Sequence, residues 1–266
     1  MSIVDISFHA RSTLAVEKGK AMENSIEGRN PILEALKSGR PIGKILIAKN
    51  IERHGAIAEI IHLALTGGVP IEWVERQAID RLSETRASQG ILAFTSAKEY
   101  VDLDDLLVIY KEKKEPAFYL ILDGIEDPHN LGAILRTSDA TGVHGVITRE
   151  RRAVGLTPAV EKTSAGAVEY VPVSRVANIS RTIEILKRDN VWIVGIDQSG
   201  DKDYTQVDYK PPTALVIGGE GGGLSDLVKK NCDFLVRIPM KGRISSLNAS
   251  LAAGVVMYEV VRQRAG

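Results

Sequence analysis

Cysteine is almost missing: Cys232 is the only one in 266 residues. A single thiol excludes an internal disulfide framework and a cysteine metal cluster, and this usage fits a reducing cytosol. An excess of one charge is also missing. Lys+Arg and Asp+Glu both number 34. Zero net charge speaks against a protein that coats nucleic acid non-specifically, while leaving room for a local basic face. No apolar run approaches the length of a membrane span, so no membrane partner is expected. The N-terminal residues lack an apolar core between a basic start and a small-residue cleavage site. Asp5, Glu17 and Glu23 argue against a transit peptide. The expectation is a cytoplasmic protein. No His, Cys and carboxylate cluster has metal-ligand spacing; His129 and His144 stand alone, so no metal is expected.

What is present is enough apolar residue, 44% of the chain, for one large or two modest cores. Residues 1–24 are polar and weakly patterned and read as a flexible tail. Residues 25–98 alternate helix and strand as a small α/β domain. Its first half is crowded with Arg29, Lys37, Arg40, Lys44, Lys49 and Arg53, either a solvated surface or an RNA-backbone contact face. Residues 99–106 read as a linker. Residues 107–266 form the second domain: a short helix packs on it first, and from Ala117 the pattern is strand, loop, helix, repeated, which predicts a parallel sheet with helices on both faces. Ligands in such folds sit beyond the carboxyl ends of strands. Three loops should gather there.

The first loop is D-P-H-N-L-G-A-I-L-R, 127–136. Asn130 reads as a helix cap, and Arg136 sits inside an apolar helix and needs a partner. Phosphate suits it, as does an internal carboxylate. The second is G-G-E-G-G-G, 218–223. Its glycines let the backbone approach a ligand closely. No Lys-Ser/Thr follows, so it is not a Walker loop, and it comes too late in the domain for a dinucleotide fingerprint. The third is I-P-M-K-G-R-I-S-S-L-N, 238–248. Pro239 ends a strand, and Ser245 and Ser246 read as the start of a helix with Leu247, Leu251, Val255 and Tyr258 at helical spacing. So apolar a helix should be buried, against this chain or a second copy.

In this order, N-x-x-x-x-x-R with Gly132, G-x-E-G-x-G-L and I-P-M-x-x-x-x-x-S-L-N resemble the three motifs of the SpoU (TrmH) class of RNA ribose 2′-O-methyltransferases. The N-terminal stretch E-G-R-N-P-I-L-E-A-L and the later Q-G-I-L-A are similar to the substrate-binding domain of members acting on large-subunit ribosomal RNA. Ser88 stands where those members lead one to expect His. The resemblance implies a knotted, parallel-sheet α/β methyltransferase domain (a deep trefoil knot) behind an RNA-binding domain. It implies a homodimer, S-adenosylmethionine as cofactor and a guanosine of 23S ribosomal RNA as acceptor. By motif position, Asn130, Arg136, Glu220, Ser246 and Asn248 are the implied catalytic residues. Gly218, Glu220, Ile238, Met240 and Leu247 are the implied cofactor-binding positions. A transfer-RNA methyltransferase, a non-catalytic RNA-binding protein of the same fold and a nucleotide-dependent oxidoreductase are the rival readings.

Overall fold

The computed structural model describes residues 24–265. The expected tail lies outside them except for Asn24, and Asn24 opens a strand. The chain divides into two compact units, one ending at Lys98 and the other starting at Glu99.

The first unit has strands β1 (Asn24–Glu27), β2 (Ile42–Ala48), β3 (Ile71–Val74) and β4 (Ile91–Thr95). Its helices are α1 (Arg29–Lys37), α2 (Ala56–Thr66) and α3 (Arg76–Leu82). The sheet order is β1-β4-β2-β3. β1 and β2 run antiparallel to β4, and β3 is parallel to β2. Side chains alternate across a strand. Ile45 and Ile47 therefore meet Ile32 of α1 and Ile57 and Ile60 of α2. Leu46 and Ala48 turn to the other face, with Leu92, beneath Ile79 of α3.

The second unit carries β5 (Phe118–Asp123), β6 (Gly145–Arg149), β7 (Val173–Val176), β8 (Trp192–Ile196), β9 (Lys202–Asp203), β10 (Thr213–Gly218) and β11 (Phe234–Arg237). They form one sheet in the order β7-β6-β5-β10-β8-β11-β9. Every neighbouring pair is parallel. All residues of β5 are buried, as a parallel strand covered on both faces should be. On one face lie α4 (Leu103–Leu106), α5 (Ile109–Lys113), α8 (Ile179–Arg188) and α9 (Asp226–Asn231). There Leu106, Ile183 and Val228 pack with Tyr119, Ile121 and Val216. On the other lie α6 (Pro128–Ala140), α7 (Pro158–Thr163) and α10 (Ala249–Ala265). Leu131, Ile134, Val160, Val256 and Val260 there meet Leu120, Leu122 and Leu215.

Three expectations need correction. Residues 99–106 are part of the second unit rather than a linker ahead of it, and the short packing helix begins within them. Val101 N donates to Val173 O at 2.9 Å, Tyr100 Oη accepts from Leu156 N at 2.9 Å, and Leu106 is buried. An apolar Leu106-Leu107 pair gains more against the sheet than in water. Helix α6 starts at Pro128 rather than Asn130, because the Asp127 carboxylate caps it by accepting from His129 N at 2.8 Å. Proline suits that first position, and Asn130 is thereby carried into the helix and buried. Helix α10 starts at Ala249, not Ser245 or Ser246. Asn248 Oδ1 accepts from Ser250 N at 3.0 Å and Leu251 N at 3.4 Å, a cap as favourable as serine.

Glu27 at the end of β1 is fully buried. Its oxygens accept from Ser83 Oγ at 2.7 Å, Glu84 N at 2.5 Å, Thr85 N at 3.3 Å and Thr85 Oγ1. Burial alone would raise its pKa, but these donors outweigh it and hold the carboxyl below its usual value. A depressed carboxyl contributes stability above its unfolded pKa and loses it as pH falls through the folded one. With Trp192→Phe in the background, Trp73 alone reports the first unit. Acid unfolding followed there should steepen below the usual value of 4.5. Glu27→Gln should lower stability at neutral pH by about 1–3 kcal/mol and flatten that acid limb. An unchanged limb would show that the buried carboxylate does not set it.

Candidate active site

The carboxyl ends of parallel β5, β8, β10 and β11 share one edge of the sheet. A cavity of about 540 Å³ opens there. Its floor is the loop 218–223, with Ile238 from beyond β11. Ser246, Leu247 and Asn248, ahead of α10, line another side, and Ile196, Asp197 and Gln198, at the end of β8, a third. The loop folds back on itself, Gly223 N donating to Gly219 O at 3.1 Å. A Cβ on Gly218 would run into the backbone of Gly223 and Leu224, and one on Gly219 into the Gly124 carbonyl. Only glycine permits three backbones to lie this close.

At one end of the cavity three side chains from distant segments meet. Asn248 Nδ2 donates to Asn130 Oδ1 at 2.9 Å and to Glu220 Oε1 at 3.4 Å. Asn130 Nδ2 also donates to Glu220 Oε1. One carboxylate oxygen is thus fixed by two neutral amides. Among the described residues the other, Oε2, takes no hydrogen bond. That arrangement can orient a hydroxyl without a second charge, since an ionised carboxylate only accepts.

The structure therefore brings together Gly218, Glu220, Ile238, Ser246, Leu247 and Asn248 in one lining, with Asn130 bonded behind it. Besides Asn130, two residues expected at the site stand outside the lining, and among the described residues neither bonds to it. Met240 is half-buried in the turn after β11. Arg136 is exposed on α6, and among the described residues it has no hydrogen-bond or ion-pair partner. Six residues of helix turn it about 120° around the axis from Asn130 and move it about 9 Å along. Asp197 and Gln198 were missed. Their only sequence signal is that they follow a buried strand, where open α/β sheets place ligands. Burial would raise the Asp197 carboxyl pKa. Ser199, donating through Oγ at 2.6 Å and N at 2.9 Å, and Lys229 at 2.9 Å outweigh that and hold it below the usual range. Among the described residues no group of His, Cys, Asp and Glu could hold a metal ion.

The sequence profile of the SpoU rRNA methylase family matches residues 117–258, the whole strand set from β5 to β11 and most of α10. The chain belongs to the SpoU methylase family. Residues 25–101 match the substrate-binding domain of RNA 2′-O ribose methyltransferases. The Bacillus subtilis strain 168 protein YacO, assigned to the TrmH family of tRNA/rRNA methyltransferases, is 48% identical over 89% of this chain and 94% of its own. The SpoU methyltransferase AviRb of Streptomyces viridochromogenes, crystallised with S-adenosylmethionine, superposes with a TM-score of 0.75 at 29% identity. The match covers 91% of this chain and 90% of that one. An S-adenosylmethionine-bound rRNA methyltransferase of Sinorhizobium meliloti gives 0.73 at 27% identity, covering 90% and 87%. This SpoU chain is accordingly an RNA methyltransferase.

Asn248 has two separable duties, capping α10 and bonding Asn130 and Glu220. Serine can cap but is too short to reach Asn130. Asn248→Ser should keep the cap, cost about 1–3 kcal/mol of stability for the Asn130 Oδ1 left without its donor, and lower methyl transfer to RNA by the folded protein at least about tenfold, the scale of one or two hydrogen bonds. Asn248→Ala should lose the cap too, about 1 kcal/mol of stability. Full transfer by the serine variant would mean that the amide network is idle.

Proposed function

We propose that this chain methylates the 2′-hydroxyl of a ribose in RNA, using S-adenosylmethionine, and that its acceptor is a guanosine of large-subunit (23S) ribosomal RNA, as in the RlmB type. The observation that carries the reading is the Asn130–Glu220–Asn248 network at the mouth of the glycine-loop cavity. The cavity suits the cofactor by its own chemistry. It has a glycine-rich loop whose Gly218 and Gly219 leave no room for a Cβ, apolar walls in Ile238, Leu247 and Ala252, and polar groups in Asp197 and Gln198. When bound, the cofactor supplies an electrophilic methyl group on a sulfonium. Backbone at Gly218, Ile238, Met240 and Leu247 would hold it, with Glu220 beside it.

The chain's own task is to position the ribose hydroxyl and to tolerate its charge. Glu220, oriented by Asn130 and Asn248, holds the ribose. Ser246 adds a hydroxyl at the cavity wall. Arg136 stabilises the developing alkoxide and the neighbouring phosphate; a role as base is secondary, because guanidinium stays protonated in proteins. Residues 25–98 read the RNA by its shape. The relatives are assigned to tRNA/rRNA methyltransferases; the match over 25–101 to a substrate-binding domain supports RNA recognition by the first unit.

The reading extends to a homodimer, a deep trefoil knot and a cytoplasmic site of action. No helix among the described residues is long and apolar enough to cross a membrane. Support for the knot is the family's fold, together with β10 lying between β5 and β8 while α10 returns over the sheet. Support for the dimer is α10. Leu251, Val255 and Tyr258 are 61%, 37% and 55% exposed along one stripe, with Ile244 at 74% beside it in sequence, and such a face marks an interaction site. Arg136 is carried by α6, which packs beside α10 through Thr137 and Gly254. Arg136 lies outside its own chain's cavity lining. It acts once RNA and a second copy have assembled around that face.

The deciding experiment offers labelled methyl donor with 23S rRNA, 16S rRNA and tRNA, then digests the product to nucleosides. Label in 2′-O-methylguanosine from 23S rRNA is expected; label in tRNA alone would overturn the acceptor. In the same assay Arg136→Lys and Arg136→Ala should keep cofactor affinity and lower single-turnover transfer by about two orders of magnitude, as for one preorganised donor. Near-normal transfer by the lysine variant would defeat the assignment. Leu251→Glu should sediment as a monomer where the unaltered chain sediments as a dimer. A fully active monomer of the unaltered chain would contradict the dimer.

A further inference from the structure

Asp123, the last residue of β5, is buried and does not line the cavity. Its backbone pairs with Gly218 in the sheet register, and its carbonyl accepts from Gly219 N at 3.0 Å. Its side chain reaches across the loop instead of staying in the core. Oδ2 accepts from Ser225 N at 2.9 Å, and Oδ1 is paired with Arg149. One residue thus grips the N–H group that starts the glycine loop and the N–H group just past its end, on either side of Glu220.

We propose that Asp123 is a positioning residue of the methyl-transfer site: it closes the loop 219–225 into a ring, and Arg149 holds its carboxylate in the orientation that does so. The proposal rests on the reading of that loop as the cofactor cradle. The physical need is plain. Four of the five residues 219–223 are glycine, the residue type with most backbone freedom to lose. The Gly223 N–H to Gly219 carbonyl bond closes only the loop's inner turn; without a hold at Ser225 that turn as a whole could swing away from the geometry in which Glu220 meets Asn130 and Asn248. A carboxylate accepting from a backbone N–H is one of the stronger hydrogen bonds available. A purely structural ion pair with Arg149 would satisfy Oδ1 and gives no reason for Oδ2 to face the loop's last N–H.

The test removes the donor and leaves Asp123 and Arg149 untouched. Ser225 has φ −65°, which proline can adopt, and the proline Cδ would replace the N–H and push the Asp123 carboxylate aside, so Ser225→Pro breaks this link while both acidic and basic partners stay in the sequence. Full-length protein is titrated with S-adenosylmethionine by calorimetry, beside a urea unfolding curve that gives the folded fraction. Ser225→Pro should bind at least about tenfold more weakly than the unaltered chain, the scale of one charge-assisted hydrogen bond. Asp123→Ala should weaken binding similarly. The double variant should be no weaker than the worse single one, because both cut the same link. A fold-preserving Ser225→Pro with unchanged affinity overturns the clamp, and so do losses that multiply in the double variant. So does a loss that the unfolded fraction alone accounts for. If Asp123→Ala does not fold, Ser225→Pro decides by itself. An unaltered chain that bound no S-adenosylmethionine would overturn the cradle reading and the clamp together, whereas an unaffected Ser225→Pro overturns the clamp alone.

Discussion

Glu220 can meet Asn130 and Asn248 only because Gly218 and Gly219 let three stretches of backbone touch. With any side chain at Gly219 the loop would be driven off the Gly124 carbonyl, and with one at Gly218 it would be driven off Gly223 and Leu224. Much of the site follows from that packing. The loop turns back on itself, its carboxylate comes to the start of α10, and the amide of Asn248 can cap the helix and bridge to Asn130 at once. Three bonded side chains thus fix where Glu220 sits. That is what in-line transfer between two positioned groups requires.

The two units solve the same problem of buried polarity in different ways. In the second, Asn130 is buried in α6 and answered by Glu220 and Asn248. In the first, the buried Glu27 is answered by backbone and hydroxyl donors of residues 83–85, far along the chain, and ties β1 to the segment before β4. Buried polar groups are costly unless every one is bonded, so both networks fix a single arrangement of loops.

The sequence showed the parallel sheet well, because β5, β8 and β10 are short apolar runs bounded by proline, glycine or charged residues. It also pointed to the three loops at their carboxyl ends. It did not show β1, since N-S-I-E has only one large apolar residue and pairs with β4 at the far side of the unit. Helix starts slipped by two to four residues because several capping residues stood in a row. Ser245, Ser246 and Asn248 all qualify, as do Asp127 and Asn130, and only packing chose between them. The stripe of Leu251, Val255 and Tyr258 was legible as apolar; that this chain leaves it bare was not, because periodicity does not say what covers a face. Asp197 and Gln198 carry no local pattern and became visible only once β8 was placed beside β10.

The central claim is that the cofactor sits in the glycine-loop cavity and not elsewhere on the chain. Ultraviolet cross-linking of methyl-labelled S-adenosylmethionine to the full protein, followed by peptide mapping, tests it most directly. Label should fall within residues 217–223 or 246–252 and be lost in Gly219→Ala, whose Cβ would meet the Gly124 carbonyl. Label instead at the separate cavity of about 360 Å³ beside His144 and Arg264, or within residues 24–98, would contradict it.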